Sequence, residues 1–152
     1  MDSIVELQEI PVMRVRADMK GKGPSAAFDL LESKLPSLKG RRFYGTFRML
    51  ANGEEEYYAC VRMVDGDDPG AMQLESGLIP GGRYARRRVM GWERVIREGR
   101  LPALFGDFVK SLGPYVDNAG VRPSLEFYRS RDELLLLTPV KPDAPAEIAG
   151  RR

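Results

Sequence analysis

The chemistry open to this chain is bounded by the side chains it carries and those it lacks. It has no histidine and one cysteine, Cys60. Without histidine there is no Ser-His-Asp or Cys-His relay, no His-held haem and no His-ligated metal centre. One cysteine can build neither a thiolate zinc site nor an internal disulfide, which fits a reducing compartment. What remains for binding or acid–base work is carboxylates, tyrosines, lysines and backbone groups. No metal or other cofactor is expected.

Among the carboxylates, Glu126 stands apart. It lies in Pro123-Ser124-Leu125-Glu126-Phe127-Tyr128, which reads as a strand. Alternation puts Leu125 and Phe127 on one face and Glu126 with Tyr128 on the other. The apolar pair suits a helix-covered core, so Glu126 and Tyr128 are expected on the opposite, open face. Tyr44, Tyr84 and Trp92 are further aromatic candidates, from other strands or their connections. In Tyr57-Tyr58 the rings point to opposite faces, so at most one joins the site, and Tyr58 is the candidate carried forward.

A carboxylate among aromatic rings is costly to desolvate and seeks a proton, a donor or a cation. Each ring face adds about 0.5 to 2 kcal/mol of attraction for a cation. Such a pocket suits flat or cationic organic molecules, with tyrosine hydroxyls as the oriented polar contacts. The blander alternative is a strand glutamate paired with Arg86, Arg88 or another sheet arginine. The tyrosines could equally be ordinary sheet residues, and Trp92 a core plug. Cys60 reads as a small strand residue with no base beside it. A Glu126 on the helix-covered face, or held by an arginine with no cavity beside it, would remove the ligand reading.

Arg83, Arg86, Arg87 and Arg88 form a basic run that Lys39, Arg41 and Arg42 could reinforce. No helix-turn-helix, zinc or RNP-type motif accompanies it, and a net charge of +2 is mild. A solvated edge, or ion pairs to Glu54-Glu55-Glu56, is expected rather than direct binding of nucleic acid.

The elements that must position these residues come as a repeat. The chain has 152 residues, 43% hydrophobic and 30% charged, which suits one domain with a real core. No apolar run reaches the roughly 18 residues of a membrane span. Met1-Asp2-Ser3 is not basic and leads into no signal core, so a cytoplasmic location is expected. Ile10-Pro11 precedes an alternating stretch to Ala17, and Ile79-Pro80 precedes another to Arg86, each read as a strand. A helix follows in each half. One opens at Gly23-Pro24-Ser25 with Phe28, Leu31, Leu35 and Leu38 on one stripe. The other opens at Leu101-Pro102 with Leu101, Phe105, Phe108 and Leu112, and stops at Gly113-Pro114. Two strands close each half: 42–49 and 55–64 around Asn52-Gly53, then 123–130 and 134–140 across Arg131-Asp132. Val5 to Leu7 extends the first strand at most. The fold class is therefore α+β: duplicated βαββ units, about 3–64 and 72–141, with the helices on one face of an antiparallel sheet and the ligand cleft on the other. Residues 1–141 form the domain and 142–152 a flexible tail.

The frame Ile79-Pro80-Gly81-Gly82-Arg83-Tyr84-Ala85, a long helix, Arg122-Pro123-Ser124-Leu125-Glu126-Phe127-Tyr128 and a closing Thr138-Pro139-Val140 resembles the GyrI-like small-molecule-binding domain. That module is the effector-binding part of many bacterial multidrug-responsive regulators and also occurs alone. The resemblance spans about residues 3 to 141. It implies a pseudo-twofold pair of βαββ units with a cleft between them, an acidic residue at Glu126, and a strand tyrosine at Tyr84. Tyr44, Trp92 and Tyr128 are compatible with the pocket by position. The segment Gly91 to Gly99, ahead of the second helix, departs from the pattern and alters the cleft rim. The chain leaves no room for a DNA-binding domain, so a complete MerR- or AraC-type regulator is not expected.

Three functions follow. The first is a stand-alone binder of aromatic or cationic small molecules. The second is a hydrolase that opens strained electrophilic rings, with Glu126 as general base and a tyrosine beside it. The third, implied by the family name, is a protein partner of the DNA gyrase-modulator kind. The residues leave the ligand and the oligomeric state open.

Overall fold

The computed structural model describes residues 2–146. In chain order its elements are β1 (Ser3–Leu7), β2 (Ile10–Arg16), α1 (Gly23–Ser33), β3 (Phe43–Met49), β4 (Glu55–Arg62), β5 (Glu75–Ile79), β6 (Gly82–Met90), α2 (Trp92–Arg97), α3 (Leu101–Leu112), β7 (Ser124–Tyr128) and β8 (Glu133–Pro139). Proline opens both long helices, Pro24 in α1 and Pro102 in α3, at positions where its missing N–H costs nothing. Proline also ends the first. α1 stops at Ser33 because Pro36 disfavours helical backbone at Leu35. Leu38 therefore lies beyond the helix and is exposed.

All eight strands form one antiparallel sheet in the order β1-β6-β8-β7-β3-β4-β2-β5. Exchanging the halves reverses that order, so a pseudo-twofold axis passes between β3 and β7. Each βαββ unit carries one more strand than the sequence signals show. β1 is a separate strand on β6 of the second half, and β5 lies on β2 of the first. Each unit lends its first strand to the other. Pro80-Gly81, expected at the start of a strand, is instead the connector from β5 to β6.

Those connectors force the sheet to curl. β1 and β2 lie six strands apart, about 29 Å across a flat sheet. The Gln8-Glu9 link from Leu7 to Ile10 spans at most about 11 Å. The same holds for Pro80-Gly81 between β5 and β6. The two links meet: a Cβ on Gly81 would lie 2.8 Å from the Leu7 carbonyl oxygen. The sheet is therefore a half-barrel closed over its inner face by two crossing connectors.

Both faces consequently carry core. On the outer face α1 packs over Met13, Ala59 and Val61, while α2 and α3 pack over Ala85, Leu134 and Leu136. The inner face holds Tyr44, Tyr58, Tyr84, Leu125, Leu135 and Leu137. Phe108 of α3 and Leu31 of α1, both fully buried against the sheet, contribute about 2 to 3 kcal/mol each.

β6 is not the edge expected of the basic run, because β1 occupies the edge. Two of its arginines find other acids than Glu54-Glu55-Glu56. Arg87 binds Asp2 at 2.8 Å and Asp107 at 2.7 Å, and Arg88 pairs with Glu133. Residues 147–152 of the expected flexible tail lie outside the described residues. Within the described part, Ala144 is buried, its carbonyl accepts a hydrogen bond from Arg83, and the Ile4 N–H donates to the Ala146 carbonyl. Among the described residues no helix is long and apolar enough to cross a membrane.

Candidate functional site

The two halves meet along β3 and β7, and at the midpoint of that ladder Glu126 faces Gly45. The pseudo-twofold axis runs through this pair, so the axis has room for one side chain. Glu126 provides it. A Cβ on Gly45 would come within 2.6 Å of Glu126 Oε1 and 2.0 Å of the Tyr57 hydroxyl oxygen. Glycine is what lets the carboxylate and that hydroxyl meet.

Alternation places Glu126 and Tyr128 together, as the sequence predicts, but on the helix-bearing face. Glu126 pairs across the sheet with Leu136, which packs under α3, and Gly45 pairs with Ala59, which packs under α1. Leu125 and Phe127 line the inner face instead. The open-face expectation fails because a curled sheet buries both of its faces. Apolar residues then no longer mark the helical side. Glu126 on the helix-bearing face meets the condition for removing the ligand reading, but that condition presumes helices that seal the face, and here a cavity beside Glu126 leaves the carboxylate accessible. α1 covers β2 and β4, α3 covers the β6–β8 side, and the central β3–β7 pair lies between them. A cavity of about 510 Å³ opens there, with Glu126 and Tyr57 at its base and Phe47, Leu101, Pro102 and Phe105 on its walls.

Glu126 is held by tyrosines, with no arginine. The Tyr57 hydroxyl donates to Oε1 at 2.6 Å and the Tyr128 hydroxyl donates to the same oxygen at 2.9 Å. Among the described residues Oε2 has no hydrogen bond, which leaves it for a group in the cavity. Arg86 and Arg88, the partners considered from sequence, lie on the inner face. Desolvation raises the Glu126 pKa, and the two tyrosine donors partly oppose that rise. Burial also raises the pKa of Tyr57 and Tyr128, and the adjacent carboxylate raises both further. Both hydroxyls stay protonated and serve as donors.

An aromatic shell fixes these groups. The Tyr57 ring stacks with Phe47 at 6.2 Å and meets Phe28 edge-on at 6.4 Å. Tyr128 is gripped edge-on by Phe28 at 5.5 Å and by Trp92 at 5.0 Å. Trp92 donates its indole N–H to the Ser130 carbonyl, and it backs Tyr128 without lining the cavity. Phe105 of α3 reaches Phe47 at 4.9 Å and bridges the two halves.

The structure thus brings together Glu126, Tyr128 and Trp92 of the sequence candidates. Tyr44, Tyr58 and Tyr84 are on the inner face, away from this cavity. Tyr44 stacks on Phe127 at 4.6 Å, Tyr58 lies under the Arg14 guanidinium, and Tyr84 donates to the Pro80 carbonyl at 2.7 Å. Of the Tyr57-Tyr58 pair, Tyr57 joins the carboxylate. The parity signal was present: Tyr57, Ala59 and Val61 share a face, opposite Tyr58 and Cys60. Phe28 and Phe105 on helix stripes and Phe47 in β3 complete the shell, and in sequence such phenylalanines read simply as core. Cys60 is buried on the inner face, its thiol pushed up to about 12 by desolvation. Among the described residues no cluster of three or more potential ligands could hold a metal.

No family model matches the sequence, and no curated protein matches it. Solved structures do match. The EcmrR C-terminal domain aligns with a TM-score of 0.57 at 12% identity, over 93% of this chain and 97% of that one. The chain has the GyrI-like fold. SAV2435, solved bound to tetraphenylphosphonium, gives 0.64 at 12% identity over 93% and 94% of the two chains. A hydrolase from Listeria innocua gives 0.58 at 12% identity over 92% and 91%. At these identities the likeness is one of fold. The GyrI-like frame of two joined units accounts for a single acidic residue on the axis between them.

Proposed function

We propose that this chain binds small organic cations with an aromatic or apolar body, in the cleft between α1 and α3, with Glu126 as counter-charge. The observation that carries this reading is Glu126 itself. It is a partly buried carboxylate with one oxygen doubly hydrogen-bonded and the other free, at the base of an aromatic cavity. Glu55 adds a second acid to the lining. Arg48, also on the lining, is already engaged by Glu56 and by the Gly120 carbonyl, each at 2.8 Å. Met19 and Met49 at the rim are flexible and polarisable, which suits ligands of varied outline. Tetraphenylphosphonium, bound by a protein of the same fold, is a cation with four aromatic rings.

The test is calorimetric titration of tetraphenylphosphonium and of neutral triphenylphosphine oxide into the parent and Glu126→Gln. Opposite unit charges about 5 Å apart attract by about 3 kcal/mol at an effective dielectric near 20. Part of that is offset by desolvation, which leaves a loss of at least about tenfold for the cation. The neutral ligand should change little. Equal weakening of both ligands would defeat the electrostatic role.

A second reading rests on the same geometry. A carboxylate of raised pKa with two tyrosine hydroxyls beside it can accept a proton from water while a hydroxyl polarises a leaving oxygen. A protein of this fold is named a hydrolase. Turnover of an epoxide or strained lactone by the parent, abolished in Glu126→Gln, would favour it over simple binding.

A further inference from the structure

The arginines that the cleft does not use gather on the other face of the sheet. A second cavity, of about 720 Å³, opens there beside the Gln8-Glu9 connector. Its floor is apolar, formed by Val5, Leu7, Leu125, Phe127, Leu135 and Leu137. Arg42, Arg62 and Arg86 stand around it. Arg62 follows Cys60 by two residues and Arg86 follows Tyr84 by two, so both project to the inner face. The Arg62 N–H donates to the Arg42 carbonyl at 2.9 Å, which sets those two side chains next to each other.

These three arginines form no ion pair among the described residues. Their neighbours at the mouth do: Arg41 is held by Asp67 at 2.8 Å and Arg129 lies 3.4 Å from Glu133. Glu6 and Glu9 also reach the lining, and both are exposed. The lining thus holds five arginines against two glutamates. A second mouth of the inner face differs. There the cavity is about 110 Å³, and its arginines are neutralised, Arg14 by Glu75 and Arg48 by Glu56. One mouth is thus sealed by its own ion pairs, while the larger one keeps guanidinium groups with no carboxylate partner, Arg62 beside the Tyr44 hydroxyl, over a largely apolar floor.

We infer that this larger mouth is a second binding site, for a small organic anion with an apolar body. A carboxylate, sulfonate or phosphate group sits among Arg42, Arg62 and Arg86, whose planar forks match such oxyanions. The hydrocarbon body covers Leu125, Leu135 and Leu137. Leu125 and Glu126 are consecutive in β7 and point to opposite faces. The two cavities are therefore separated by the thickness of one sheet and select opposite charges.

The experiment uses two fluorescent probes of the same apolar body, anilinonaphthalene sulfonate and uncharged phenylnaphthylamine. They are titrated into the parent, into Arg62→Gln/Arg86→Gln, and into Glu126→Gln, with circular dichroism and melting confirming each fold. The sulfonate should bind the parent and lose roughly tenfold in affinity in the arginine variant. Phenylnaphthylamine should stay within about twofold, and Glu126→Gln should leave the sulfonate unchanged. Raising salt should weaken the sulfonate in the parent more than in the arginine variant. Should the double variant melt early, Arg42→Gln, at an exposed position, gives the same comparison. The inference is overturned by failure of the sulfonate to bind the parent, by equal loss of both probes, or by loss of the sulfonate in Glu126→Gln. Because the experiment measures no cation binding, failure here leaves the proposed function standing, and failure of cation binding in the Glu126 cleft leaves this inference standing.

Discussion

Gly45→Ala probes the centre of the molecule with one methyl group. The added Cβ would lie 2.0 Å from the Tyr57 hydroxyl oxygen, 2.7 Å from its ring carbon Cζ and 2.6 Å from Glu126 Oε1. Ordinary contact begins near 3.4 Å, so the hydroxyl must retreat by more than about 1 Å. The Tyr57 ring is buried, with Phe47 stacked on one side and Phe28 edge-on, so it cannot retreat freely. The Tyr57–Glu126 hydrogen bond, made to a carboxylate, is worth about 1.5 to 3 kcal/mol. Overpacking adds about 1 to 3 kcal/mol. The sum, about 2.5 to 6 kcal/mol, corresponds to a fall in Tm of about 5 to 24 °C for a chain of this size. Differential scanning calorimetry measures it. The reasoning also fixes a coupling. In a Tyr57→Phe background there is no hydroxyl to displace and no such bond to lose, so the cost of Gly45→Ala should shrink by at least about 1 kcal/mol. Stability within about 0.5 kcal/mol of the parent, or an identical cost in both backgrounds, would refute the proposed crowding.

Three further outcomes are expected. Glu126 has a raised pKa in the fold, so the unfolded chain gives up its proton first, and stability falls as pH rises from about 4.5 towards the folded value. Glu126→Gln should therefore melt above the parent at pH 7, with the gap closing as pH drops below about 4.5; a constant gap across thermal melts at pH 3.5 to 7.5 would contradict this. Cys60, buried and with its thiol pushed up to about 12, should resist alkylation at pH 8 in the native state and react fully in denaturant, as mass spectrometry would report. Gly106 lies inside α3 with nothing within 4 Å of its would-be Cβ, so Gly106→Ala should stabilise by about 0.5 to 1 kcal/mol in denaturant titrations, opposite in sign to Gly45→Ala.

The local devices of this fold are written in the chain. Pro24 and Pro102 set the helix starts, the apolar stripe ending in Phe108 and Leu112 defines α3, and strand alternation ties Glu126 to Tyr128. Absence of histidine made a carboxylate among tyrosines the main chemistry available. These properties depend on residues close in sequence, where propensity and period act directly. Which face Glu126 occupies depended on something else. Two two-residue connectors curl the sheet until both faces are buried, and hydrophobicity then cannot tell one from the other. For the same reason the sequence could not choose Tyr57 over Tyr58, or see that Tyr44 and Tyr84 belong to the inner core. The pairing of Gly45 with Glu126 joins residues 81 apart, through a register set when the two halves meet. Only that junction puts one carboxylate on the pseudo-twofold axis, two tyrosine hydroxyls on one of its oxygens, and an open cleft before the other.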